Sequence, residues 1–304
     1  MKKNKINLNG VIVINKSKDI TSNKILQQLK HLYNAQKAGH NGTLDPMATG
    51  VLPICFGRAT KIAQYLLDAD KEYIATVKLG IETDSGDAEG NIVKANSNIP
   101  QLDKTMLETV LDNFRGEISQ VPPMYSALKH NGQPLYKLAR KGIQIEIKPR
   151  NITIYTLELL GYSDDEMTIK VRSSKGTYIR SLAMDIGNKL GCGGHLIALQ
   201  RTKSGPFSLE ESYTLEELKD LSFEDKLATI SHIENIFLDK PSYTLAEEEK
   251  EDLYSRGKFP LKEELDGTIK VYDEDKFVAI AEFDKGVLIN KRFFDREILI
   301  SEQI

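Results

Sequence analysis

Residues 10–15, GVIVIN, are short, apolar and β-branched, the pattern of a buried strand. Thr21 or Ser22 can then cap a helix whose apolar positions, Ile25, Leu26, Leu29, Leu32 and Tyr33, share one face. Three glycines, an Asn-Gly and an Asp-Pro punctuate residues 38–50, which predicts no regular element there. VLPICFG at 51–57 reads as a strand and RATKIAQYLL as a short helix. Residues 72–79 alternate, with Tyr73, Ala75, Val77 and Leu79 on one face of a half-buried strand, and a polar loop, ETDSGDAEGN, follows. Residues 103–114 read as a helix. Residues 119–150 are rich in Pro, Gly and basic residues, with Tyr125 and Tyr136 interleaved, and predict a projecting insertion. Residues 151–162 and 166–173 form a predicted hairpin turning at Ser163, Asp164 and Asp165. A helix with Ile179, Leu182, Ala183, Ile186 and Leu190 on one face follows, ended by Gly191, Gly193 and Gly194. Beyond about residue 240, a charged helical stretch (AEEEKEDLYSRG) precedes TIKVYD, FVAIAEF and GVLIN, short strand-like pieces of a small β-rich domain.

A length of 304 residues predicts one large catalytic-sized domain with a small appendage. With 40% hydrophobic and 28% charged residues, the composition is that of a soluble globular chain. No apolar run approaches the roughly 20 residues that span a bilayer. The basic N-terminus, MKKNKINLNG, lacks a following apolar stretch, so a cytoplasmic location with two reduced thiols, Cys55 and Cys192, is expected. The net charge of −3 is unevenly distributed. Residues 1–80 hold 12 basic and 5 acidic side chains, residues 81–128 hold 3 and 8, residues 129–203 hold 13 and 6, and residues 204–304 hold 13 and 25. Two basic stretches folded onto one face would attract phosphates; plain surface solvation is the alternative.

GHNGTLDPMATGVLP at 39–53 is the most informative stretch. Pro46 biases Asp45 toward an extended conformation, and Gly42 and Gly50 permit a tight turn. Such a loop presents one carboxylate at its tip with His40 nearby; equally, Asp is a common turn residue. In SKGTYIRSLAMDIG at 174–187, Ser174 or Thr177 can start the helix, which puts Arg180 in or near its first turn, where a cation is disfavoured by roughly 0.3–1 kcal/mol. Arg180 therefore either has an anionic partner or is a solvated side chain. Walker and dinucleotide glycine fingerprints are missing, and the histidines and cysteines lack metal-ligand spacing.

Seven collinear segments carry a resemblance over roughly residues 8–210: GHNGTLDPMATGVLP, GRATK, DKEYIATVKLG, ETDSGDAEG, VPPMYSALKHNGQPLYKLARKG, SSKGTYIRSLAMDIG and CGGHLIALQRTKSGPF. Together they resemble the TruB family of tRNA pseudouridine synthases. The resemblance implies an α/β (α+β) fold: a mixed, mainly antiparallel sheet flanked by helices, as a catalytic domain over 1–238 with a mobile thumb insertion at about 120–148. It also implies a small PUA-like β-rich domain over 239–304, whose acidity argues for limited RNA contact. By matching motif positions, Asp45 is the catalytic aspartate, Arg180 its pairing arginine and Tyr73 the active-site tyrosine that stacks on the base. His40, Tyr178, Leu199 and Lys175 are implied substrate-binding residues. Asn41 stands where many relatives have Thr.

The implied reaction isomerises uridine 55 in the tRNA T loop after flipping the base out of its stack. The N1–C1′ bond breaks and a C5–C1′ bond forms. One carboxylate can suffice, because the detached uracil stays in the pocket. Asp45 would attack C1′ or abstract a sugar proton. No cofactor or metal is implied. The implied partner is the tRNA T stem-loop, with no membrane, no required protein partner and a monomeric state. Two other readings are a non-catalytic tRNA-binding or folding chaperone using the same surface, and a guide-RNA-dependent relative acting within a ribonucleoprotein.

Overall fold

The structure, a computed structural model, describes residues 5–294. Its first half runs β1 (Gly10–Lys16), α1 (Ser22–Leu32), β2 (Ala38–His40), β3 (Thr49–Phe56), α2 (Gln64–Asp68), β4 (Lys71–Leu79), β5 (Ile81–Thr83), β6 (Ile92–Ala95), α3 (Lys104–Asp112) and β7 (Gly116–Gln120). A small unit of β8 (Lys129–His130), β9 (Gln133–Pro134) and α4 (Leu135–Ala139) leads to β10 (Arg150–Tyr162), β11 (Glu166–Ser173), α5 (Ile179–Lys189), β12 (Gly194–Ser204) and β13 (Phe207–Ser208). Two short helices, α6 (Leu215–Asp220) and α7 (Phe223–Ala228), precede β14 (Ser242–Thr244), α8 (Glu247–Arg256), β15 (Lys258–Pro260), β16 (Thr268–Asp273), β17 (Lys276–Asp284) and β18 (Val287–Phe293).

The main sheet orders β1-β3-β12-β4-β11-β10-β7, with β2 added on β3 and β13 on β12. Every pairing is antiparallel except β12 with β3, so the sheet is mixed and mainly antiparallel, as expected. The unbroken apolar run of β1 has a plain cause. Ile12 and Ile14 face a core shared with α1, α3 and α5, whereas Val11 and Val13 face a second core on the other side. Fully burying a side chain of this size contributes about 1.5–3 kcal/mol, so neither face tolerates a polar residue. Phe277, Ile280 and Phe294 from the C-terminal part also enter that second core. The five-stranded C-terminal sheet, β14-β16-β17-β18-β15, has in addition a core of its own, including Leu253, Phe259, Ile269 and Val271.

Several local expectations need correction. Residues 38–50 are not wholly irregular: Ala38–His40 pair with Ile54–Phe56, and β3 already begins at Thr49. Pairing with a distant strand organises these residues, and local composition does not report it. Helix α5 starts from neither Ser174 nor Thr177. The Ser174 hydroxyl accepts from the Thr153 amide (2.9 Å), and the Thr177 hydroxyl donates to the Ser174 carbonyl (3.0 Å). With both hydroxyls engaged, Tyr178 becomes the cap without a side-chain capping bond. The insertion is not all projecting, since Gln120, Ser126 and Leu135 are buried. Nor is the acidic loop after β5 merely solvated: Ser85 and Asp87 are buried.

Candidate active site

The β2–β3 loop is held from four sides. The Ser22 hydroxyl, at the start of α1, donates to the Leu44 carbonyl (3.0 Å) and accepts from the Leu44 amide (2.9 Å). The buried Lys16 ammonium donates to the Ser17, Ile20 and Pro46 carbonyls. Burial pulls its pKa down to about 8, against the attraction of Asp45. The Asp19 amide also donates to the Pro46 carbonyl (2.9 Å). From β12, the Arg201 guanidinium donates to the Gly42 carbonyl (2.9 Å) and the Val51 carbonyl (2.7 Å). Gly50 lies at φ 101°, and a Cβ there would meet the Arg201 carbonyl oxygen at 2.2 Å, so only glycine lets β3 pass this close to β12.

Asp45 lines a cavity of about 430 Å³. That lies within the roughly 300–1,000 Å³ usual for small-ligand sites. Arg180 reaches it from the first turn of α5. Its Nε is 2.9 Å from Asp45 Oδ2, and its Nη2 donates to Oδ1 at 3.3 Å, a two-pronged pair. The same guanidinium donates to the Ser85 carbonyl (3.1 Å) and the Tyr125 carbonyl (2.8 Å), and lies 3.5 Å from Asp87. Arg180 is thus buried and fully partnered, which excludes a solvated side chain. Burial pushes the Asp45 carboxyl above its ordinary value; Arg180 opposes this, Asp87 adds to it, and Lys16 opposes it. The pairing arginine therefore does not by itself set the ionisation of Asp45, because burial is the larger effect.

His40, Tyr73, Tyr178 and Leu199 line the same cavity as Asp45 and Arg180. Tyr73 is half-buried in β4, and its hydroxyl meets the Arg201 guanidinium. Leu199, on β12, is the cross-strand neighbour of Ala75. His40 Nδ1 is buried without a hydrogen-bond partner, and burial, aided by Arg201, holds the imidazole pKa below its usual value, so the ring is neutral near pH 7. Burial raises the Tyr178 phenol. Lys175 does not line the cavity, although its neighbours Ser174 and Gly176 do: its side chain is exposed at the rim and pairs with Asp68 at 3.0 Å.

Asp87 and Arg201 are site residues that the pattern does not single out. Asp87 is 4% exposed, accepts from the Ser85 hydroxyl (2.6 Å) and the Glu89 amide (3.1 Å), and forms the far side of the Arg180 cluster. Nothing local separates it from Asp84, which instead accepts from Asn91. Arg201 is 1% exposed and bonds carbonyls and a phenol. A charged residue within a run of small and polar residues gives no signal of such burial. Among the described residues, no group of three or more His, Cys, Asp or Glu side chains could hold a metal ion. No helix among them is long and apolar enough to cross a membrane.

Two family descriptions match consecutive parts of the chain: TruB family pseudouridylate synthase (N terminal domain) over residues 30–179, and tRNA pseudouridylate synthase B C-terminal domain over residues 180–239. The chain is 72% identical to a tRNA pseudouridine synthase B of Francisella tularensis subsp. novicida, covering 99% of this chain and 100% of that one. It is 71% identical to the protein so named in Francisella philomiragia subsp. philomiragia, over the same shares. Among solved structures, a chain of a Cbf5-Nop10-Gar1 complex superposes with a TM-score of 0.72 at 26% identity, covering 95% of this chain and 86% of that one. A chain of an archaeal box H/ACA sRNP Nop10-Cbf5 complex gives 0.68 at 25%, covering 94% and 85%.

Proposed function

The chain belongs to the TruB family of pseudouridylate synthases, and from that premise we propose that it isomerises uridine 55 in the T loop of tRNA, with Asp45 as the reacting carboxylate. The observation that carries this reading is the two-pronged Asp45–Arg180 pair in a cavity also lined by Tyr73 and Leu199. Attack at C1′ and removal of a sugar proton both require the ionised carboxylate, and the guanidinium opposes the effect of burial on it. Two of its N–H groups hold the carboxylate by geometry as well as charge, while others bond the Ser85 and Tyr125 carbonyls. In this reading Tyr73 stacks on the flipped uracil and assists loss of the C5 proton. Neutral His40 braces the space the base leaves, and Tyr178 and Leu199 complete the pocket. Lys175, exposed between the cavity-lining Ser174 and Gly176, contacts the RNA backbone.

The division into residues 1–238, with the insertion at about 120–148, and a PUA-like unit over 239–304 belongs to the same proposal; residues 1–4 and 295–304 lie outside the described residues. The enzyme acts as a monomer in the cytoplasm, needs no protein partner or cofactor, and uses its basic stretches for phosphate contacts. The test is tritium release from tRNA transcribed with [5-³H]uridine. Wild type is expected to release about one tritium per tRNA, as one flipped base reacts per molecule. Asp45→Ala, Asp45→Asn and a substrate with cytidine at position 55 are expected to release none. A folded, tRNA-binding wild type that releases no tritium would instead support the chaperone reading, or a guide-RNA requirement.

A further inference from the structure

Helix α5 carries Arg180 in its first turn, yet its cap residue, Tyr178, makes no side-chain capping bond. The start of this helix is held from outside. Gln120, the last residue of β7 and only 2% exposed, clasps the Tyr178 backbone with both ends of its amide. Its Nε2 donates to the Tyr178 carbonyl (3.1 Å), and its Oε1 accepts from the Tyr178 amide (2.8 Å). The side chain thereby acts as a short extra strand. Two further bonds tie the same segments together. The Ser181 hydroxyl donates to the Val121 carbonyl (2.7 Å), and Arg180 Nη2 donates to the Tyr125 carbonyl (2.8 Å). Residues 120–125 are the root of the insertion, so root and helix start form one hydrogen-bonded unit.

We infer that Gln120 is a positioning residue for the reaction: its amide clasp fixes Tyr178 and the first turn of α5, and so holds Arg180 in its two-pronged alignment with Asp45. The inference rests on the proposed isomerase activity. Gln120 does not line the cavity and touches no substrate; it acts through the backbone that carries Tyr178 and Arg180. A guanidinium displaced by even one ångström loses its two-pronged hold on the carboxylate, and misplacement of that size can lower a rate on the order of a hundredfold.

The test is single-turnover tritium release by wild type, Gln120→Met, Gln120→Glu and Ser181→Ala, with tRNA Kd and thermal unfolding measured alongside. Gln120→Met keeps the length of the side chain and removes both bonds. It is expected to slow the single-turnover step by about 10- to 100-fold while Kd changes less than about threefold. Gln120→Glu keeps the acceptor and loses the donor while ionised; burial at this position favours the neutral carboxyl, Arg150 opposite it on β10 and Arg180 beyond Tyr178 favour the ionised one, and protonation restores a donor to the Tyr178 carbonyl. Its rate relative to wild type is therefore expected to rise as pH falls from about 8 to about 6. A structural role alone does not produce that ratio in a variant folded across the range. Should Gln120→Met fail to fold, Gln120→Glu and the milder loss expected for Ser181→Ala carry the test. A folded Gln120→Met with the wild-type rate, a loss confined to Kd, or a flat Gln120→Glu ratio overturns the inference. No release by the wild type overturns the reaction itself, and this inference with it.

Discussion

Replacing Arg180 by Met removes the cation from the Asp45–Arg180–Asp87 cluster while keeping much of the aliphatic stem. The guanidinium lies 2.9 Å from one Asp45 oxygen and 3.3 Å from the other. A unit charge pair at about 4 Å is worth about 1 kcal/mol in water and about 4 kcal/mol at the effective dielectric of a protein surface. The Asp45 side chain retains 35% exposure, so solvent screening places the pair between these limits. That range corresponds to roughly 1–3 pKa units. Burial already raises the Asp45 pKa, and Asp87 adds to it, so losing Arg180 moves it further upward. In the proposed reaction the ionised carboxylate is the reactive form. The acid limb of the pH–rate profile should therefore move to higher pH, with activity lost at neutral pH and partly recovered as the solution becomes alkaline. Single-turnover tritium release between about pH 5 and pH 9 measures this, with circular dichroism as the folding control. A folded variant whose acid limb coincides with that of wild type would refute the assigned role of Arg180 in holding Asp45 ionised.

Asp45→Asn is expected to be at least as stable as wild type at neutral pH. A folded-state pKa raised by burial means the charged form opposes folding above that pKa and the opposition is relieved as pH falls through it; equal or higher Tm for the variant at pH 7, with the difference shrinking toward acid, is the expected outcome. Gly50→Ala should destabilise by about 2–4 kcal/mol, because its φ of 101° and the Arg201 carbonyl 2.2 Å from the new Cβ leave no strain-free arrangement; urea unfolding with an unchanged midpoint would contradict this. Binding of tRNA should weaken linearly in log Kd against log salt, with a slope of about −0.7 to −0.9 per phosphate contact in log K; a salt-independent Kd would count against the basic stretches as the RNA face.

The site was legible in the sequence to differing depths. The glycines and Pro46 around Asp45 predict a shaped loop, but a turn aspartate is ordinary there, and only the family resemblance singles it out as the reacting carboxylate. Arg180 shows itself because a cation in the first turn of a helix runs against the dipole. Tyr73 and Leu199 emerge only through the family resemblance, since a tyrosine or leucine on an apolar strand face is ordinary core. Strand β12 is the clearest loss. It joins β3 to β4 at the centre of the main sheet, yet its sequence, GHLIALQRTKS, shows no clean alternation. The reason lies in the pairing: its register with β4 shifts between Leu196 and Ala198 and between Arg201 and Lys203, and the strand buries the charged Arg201 beside the cavity. The insertion reads as projecting and the acidic stretch only as a polar loop because polar side chains that bond backbone, such as Gln120 and Ser85, are indistinguishable in composition from those that bond water.

Local sequence by itself determined helices such as α1 and α3, capped by Thr21 and Asp103, and the β10–β11 hairpin, because capping, apolar periodicity and turn residues each act across a few neighbouring residues. It also determined that one carboxylate stands on a shaped loop. Only the tertiary structure decided what that carboxylate meets. Asp45, Asp87 and Arg180 come from three separated loops and helices, and Gln120 clasps a residue 58 positions away. Their pairing, burial and pKa shifts depend on distances and local dielectric that no spacing along the chain encodes, and those quantities turn a charged turn, a polar loop and a helix start into one site.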